Sequence, residues 1–176
     1  MKKVLFLVVF VLMVLCLASC LNGSSGTESP QSIAPESLQK NVPQDYTDLG
    51  LPSGTVWKSL NEGYYTWFEA ASRFGNRLPT IKQWKELKDK CKWSWTGNGY
   101  IVTGFNGNSI FLPAEGSSVF YNGRNLVSEN GDVGYYWSST VDHPGYARYF
   151  NFYSDFIGCA LDYDQGAHFS VRLVLE

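Results

Sequence analysis

The period of the apolar positions changes several times along this chain, and each change predicts a different element. Val4 to Leu15 is an unbroken apolar run behind Lys2 and Lys3. It is shorter than the roughly 20 residues a membrane-spanning helix needs, and its basic start fits a secretory leader. From 21 to 45 the apolar anchors thin out in LNGSSGTESPQSIAPESLQKNVPQD. Such a stretch cannot bury enough apolar surface to offset its ordering entropy, which predicts a flexible linker with a coil span of about 30 Å. Helical spacing then appears in 65–74, where Trp67, Ala70, Ala71 and Phe74 fall on one face. A second helix is predicted behind Thr80 as N-cap, with Ile81, Trp84, Leu87 and Lys88 on one side.

After Cys91 the period shortens to that of strands. Tyr100–Thr103 and Ser109–Leu112 flank Phe105-Asn106-Gly107-Asn108, and Asn-Gly between two such runs signals a hairpin. Further strands are predicted at 134–138, 147–153, 157–161 and 169–175. In the last, Phe169, Val171, Leu173 and Leu175 alternate with Ser170 and Arg172, as in a half-buried strand. Two helices followed by a set of short, mostly antiparallel strands predict an α+β domain over 46–176.

Composition narrows the functional classes. All 6 Trp and all 11 Tyr fall in 46–176. The chain carries 14 basic against 16 acidic side chains, and two of the basic ones belong to the leader. No basic stripe offers the clustered Lys and Arg that phosphate backbones demand, so a nucleic-acid partner is not expected. Of the 4 cysteines, Cys16 lies in the leader, and Cys91 and Cys159 fit no zinc spacing. In an exported domain these two can pair as a disulfide or remain thiols.

Leu17-Ala18-Ser19-Cys20 closes the apolar run and resembles the bacterial lipobox. The resemblance implies removal of residues 1–19 and a diacylglyceryl, palmitate-type anchor on Cys20. Residues 20–45 would then tether 46–176 to a membrane, since two acyl chains hold a protein where one does not. Leu21 supplies no aspartate for inner-membrane retention, which favours the outer membrane. With Glu28 the only nearby acid, the choice between periplasmic and surface faces stays open.

Five landmarks carry a wider resemblance. They are Asp48–Thr55 with Trp57, Arg77-Leu78-Pro79-Thr80 with Trp84 and Leu87, Asn106–Ala114, Tyr136–Thr140 and Phe169–Val174. In this order they resemble the Fibrobacter succinogenes major paralogous domain, which implies the C-type lectin-like fold also used by formylglycine-generating enzymes. Leu60 stands where many relatives have Cys, and His168 where they usually have Gly before the last strand.

Catalysis finds little support. Oxidase chemistry of the formylglycine type needs a cysteine pair near the C-terminal cleft, and Cys159 stands alone there. A reactive thiolate also needs a cationic neighbour. His143 and His168 accompany no nucleophile-elbow serine. Calcium needs several converging oxygens, and Asp162-Tyr163-Asp164-Gln165-Gly166 offers few, so neither metal nor cofactor is expected. The favoured binding segment is 142–168. Tyr149, Asn151 and Tyr153 should share one strand face, with Phe150 and Phe152 on the other. Asp155, Phe156, Asp162, Tyr163, Asp164, Gln165 and His168 should lie in loops nearby. Rigid amphipathic tyrosines suit binding surfaces, and they equally suit cross-strand packing. The expectation is a non-catalytic envelope module recognising a glycan or protein, with a purely structural component as the alternative.

Overall fold

The computed structural model describes residues 41–121, 124–128 and 131–176, so Cys20, the leader and most of the linker lie outside the described residues. The compact unit runs from Lys40 to Glu176. It is a mixed α+β fold with two short helices and mostly antiparallel strands. Three short strands precede the helices: β1 (Tyr46–Asp48), β2 (Val56–Lys58) and β3 (Gly63–Tyr65). At three residues each they are too short for a periodicity to show.

Helix α1 (Trp67–Phe74) and helix α2 (Ile81–Lys90) both begin at a capping box. Thr66 accepts from the Glu69 amide while Glu69 reaches back, and Thr80 does the same with Gln83. This reciprocal bonding satisfies amide groups that the first helical turn leaves open. Gly75, at φ 55°, ends α1 in a backbone conformation that side chains resist.

The strands that follow are β4 (Lys92–Trp95), β5 (Gly99–Thr103), β6 (Ser109–Pro113), β7 (Ser117–Tyr121), β8 (Arg124–Ser128), β9 (Gly134–His143), β10 (Tyr146–Tyr153), β11 (Phe156–Asp164), β12 (Phe169–Val171) and β13 (Val174–Leu175). The Asn-Gly segment joins β5 to β6 as an antiparallel hairpin. The principal sheet has the order β11-β10-β9-β12-β3, and β2 lies between β1 and β13 in a sheet of three.

Two cores lie on opposite sides of the principal sheet. On one side, α2 and the β4-β5-β6 sheet cover Tyr136, Phe150 and Phe152. Trp84 stacks on Phe150 at 4.6 Å and donates its indole N–H to the Trp137 carbonyl. On the other side α1 places Ala70 and Phe74 against Trp137, Tyr149 and Phe169. The expectation of a half-buried final strand is corrected here, because Ser170 and Arg172 are as buried as their apolar neighbours. The Arg172 guanidinium donates to Asn61 Oδ1 and to the carbonyls of Lys58 and Phe111 at 2.7–2.8 Å. Glu115 joins this network through Asn61 and Ser170. A buried cation is tolerable because its donors are satisfied.

Candidate functional site

A change of register in the principal sheet assembles the exposed aromatic face. Strand β10 pairs Asn151 with Gly158 and Tyr153 with Phe156, but the ladder shifts between Tyr149 and Phe150, so that Tyr149 meets Leu161 and Ala147 meets Tyr163. Directly paired residues share a face of the sheet. Without the shift, alternation would send Phe156 and Tyr163 to opposite sides. With it, Tyr153, Phe156, Leu161 and Tyr163 all emerge on the side of Tyr149 and Asn151. Their exposures are 36%, 50%, 50% and 38%, large for apolar groups grouped on one face.

The rings rest on a rigid floor. Tyr163 packs 5.5 Å from Phe169 and edge-on to Tyr149 at 6.1 Å. Tyr135 and Tyr153 share a hydroxyl hydrogen bond of 3.3 Å, and Phe156 lies 6.2 Å from Tyr153. Gly158 is the low point of the surface. A β-carbon there would meet Asn151 Oδ1 at 2.2 Å and the Phe156 ring at 2.7 Å.

The structure divides the ten expected ligand residues. Tyr149 is only 8% exposed and belongs to the core with Trp137 and Phe169, so its place as a surface contact is corrected. Burial raises its hydroxyl pKa above the ordinary value, with the nearby Tyr153, Tyr163 and Asp162 adding to the shift. Asn151 is 3% exposed, and its Oδ1 is buried over Gly158 with no hydrogen-bond partner among the described residues. Gln165 is also buried. Its backbone joins Gly145 to Trp67, and its side chain donates to the Tyr146 carbonyl. Tyr149 is covered because α1 packs over its end of the face, while Asn151 lies over Gly158 beside the Phe156 ring.

The remaining residues stay accessible. Tyr153 and Phe156 flank the exposed turn that holds Asp155. Asp162, Tyr163 and Asp164 lie in β11 rather than in a loop. Asp162 pairs across the ladder with Arg148, on the side opposite Tyr163. Asp164 accepts from the Gly166 amide at 2.8 Å and serves the turn. His168 is half-buried and exchanges backbone hydrogen bonds with Ser118, so it is a strand-edge residue. Leu161 was not legible as a site residue because only the register shift brings it to this face.

The acidic groups converge elsewhere. Ligand atoms of Asp142, His143 and Asp162 lie within 4.8 Å of one another. Asp142 is already engaged, by Arg148 at 2.5 Å and by His143 Nδ1 at 2.9 Å. These partners hold its carboxyl below its ordinary pKa, His143 first and Arg148 second. Cys91 and Cys159 are free thiols, both packed against the α2-side core. Among the described residues, no helix is long and apolar enough to cross a membrane.

Residues 80–174 match a family model described as Domain of unknown function (DUF8237). No curated protein and no solved structure matches the chain.

Proposed function

The chain belongs to the DUF8237 family, and from its exposed aromatic face rather than from that membership we propose a non-catalytic binding module of the cell envelope, lipid-anchored through Cys20, that recognises a glycan or protein ligand. The observation that carries this reading is the grouping of Tyr153, Phe156, Leu161 and Tyr163 on one side of a rigid sheet. Aromatic faces stack on apolar sugar faces or anchor a protein partner, and their low entropy cost suits a preformed surface. The buried Tyr149 and Asn151 support that surface from below. Their burial is also what favours the second reading, a structural component whose aromatics only pack.

The finer architecture we assign is C-type lectin-like. Its support is the ordered set of sequence landmarks, together with two short helices packed on antiparallel sheets. The anchor rests on the lipobox resemblance and has its own test. Fatty-acid labelling should be lost in Cys20→Ala, and equal labelling of the variant removes the anchor from the proposal. For binding, a glycan array and an envelope-protein panel are probed in EDTA with the wild-type chain. The same panels are then probed with Tyr153→Ala, Phe156→Ala and Tyr163→Ala. Hits should weaken by about tenfold or more at any hot spot. Wild-type hits untouched by all three variants refute the face.

A further inference from the structure

The side of the sheet opposite the aromatic face carries a pocket of a different chemistry. Between α2 and β11, Ile81, Lys82, Lys85, Lys88 and Cys159 line a cavity of about 220 Å³ with mostly apolar walls. Lys82, Lys85 and Lys88 recur every third residue, so one flank of α2 presents all three while Trp84 and Leu87 face the core. Cys159 reaches the pocket because its cross-strand partner Phe150 faces α2. Its Sγ lies 3.6 Å from the Ile81 carbonyl.

The charge balance of the pocket is positive. Lys85 is paired with Asp89 at 2.6 Å. Lys82 and Lys88 take part in no ion pair among the described residues. Lys88 is placed where the end of a helix favours a cation, but Lys82 sits in the first turn, where the helix dipole disfavours one. Helix α2 carries no acid in that turn to compensate. Lysine stems can cover apolar surface while the ammonium groups stay at its rim.

We propose that this pocket is a second ligand site, taking a small amphipathic anion whose apolar body rests on Ile81 and Cys159 and whose carboxylate is held by Lys82, Lys85 and Lys88. The volume lies below the roughly 300–1,000 Å³ of ordinary ligand pockets, so the ligand is a single ring or a short chain. A molecule of that size binds with a dissociation constant on the order of a millimolar. The site is separate from the aromatic face and does not depend on its function.

Benzoate is the probe, benzamide its neutral counterpart, and the two cysteines are the reporters. Iodoacetamide modification of Cys159 and Cys91 in the full chain is followed by mass spectrometry. At ten times its dissociation constant, benzoate should slow Cys159 by about tenfold through competition and leave Cys91 unchanged. Benzamide should protect neither. The triple variant Lys82→Gln, Lys85→Gln, Lys88→Gln should lose the protection, read as the ratio of rates with and without benzoate. Equal protection by benzamide, equal slowing of Cys91, or no protection at all overturns the proposal. If the triple variant fails to fold, both cysteines react rapidly in it, and the comparison of benzoate with benzamide on the wild-type chain still decides.

Discussion

Replacing four residues of one hairpin by alanine should separate support from surface. Phe150 is fully buried and stacked on Trp84, with interplanar angle 5°. Phe150→Ala removes a ring from a packed core and should cost about 3–5 kcal/mol. Tyr149 rests 5.2 Å from Phe169 and 5.9 Å from Tyr135, so Tyr149→Ala should cost about 3 kcal/mol, near the lower end of the same range. Tyr163→Ala forfeits edge contacts from a partly exposed ring, a loss of about 1 kcal/mol. Tyr153→Ala forfeits the hydroxyl bond to Tyr135, a further case of about 1 kcal/mol. For a domain of this size each kcal/mol moves the melting temperature by roughly 3–5 °C. The core pair should therefore melt about 10–20 °C early, and the surface pair within about 5 °C of wild type. Calorimetry on the four variants reads this directly. If Tyr149→Ala and Tyr163→Ala melt together, the division of this one face into a buried floor and an exposed surface is wrong, and the aromatic face loses its support.

Other outcomes follow from single contacts. Gly158→Ala drives a methyl group into Asn151 and Phe156 and should cost about 1–3 kcal/mol of overpacking; an unchanged urea midpoint rejects it. Arg172→Ala strips a buried network and should cost about 3–5 kcal/mol, whereas a loss under about 1 kcal/mol would mean the guanidinium is solvated. Thr80→Ala should cost about 1 kcal/mol by opening the capping box of α2, measured by chemical denaturation. Burial, with Glu86 adding repulsion, pushes the Cys91 thiol up to about 11 from its ordinary 9.0. The folded chain then keeps a proton that the unfolded chain releases, so this contribution is complete below pH 9 and disappears as pH rises through about 11. Urea midpoints should fall more steeply across that window in wild type than in Cys91→Ala, and parallel slopes count against the burial argument.

Local signals reached the elements that carry their own punctuation. Thr80 sits at a true cap, and Asn106-Gly107 lies in the turn between β5 and β6, because capping and turn chemistry act within a few residues. Strands β2 and β3 were not legible because β13 and β12, far along the chain, hold them, and β1 because three residues paired to β2 alone show no period. The binding face was half legible. Alternation placed Tyr149, Asn151 and Tyr153 together, yet whether a face is solvated depends on what packs over it, and α1 covers the Tyr149 end. The register shift beside Tyr149 is a tertiary event that no spacing records, and it alone brings Leu161 into the row. The lysine pocket was not legible: Lys82, Lys85 and Lys88 meet Cys159 only because β11 packs against α2.

Strand β2 has a kinetic consequence. It pairs with β1, a few residues away, and with β13, at the far end of the described chain. During vectorial synthesis β2 can dock on β1 early but must wait for Val174 before its other edge is covered. Until then Trp57, fully enclosed in the finished domain, sits on an unpaired edge that other chains can capture. Non-local pairing of this kind slows folding and prolongs exposure to aggregation. Delivery of β13 is thus what ends the vulnerable period.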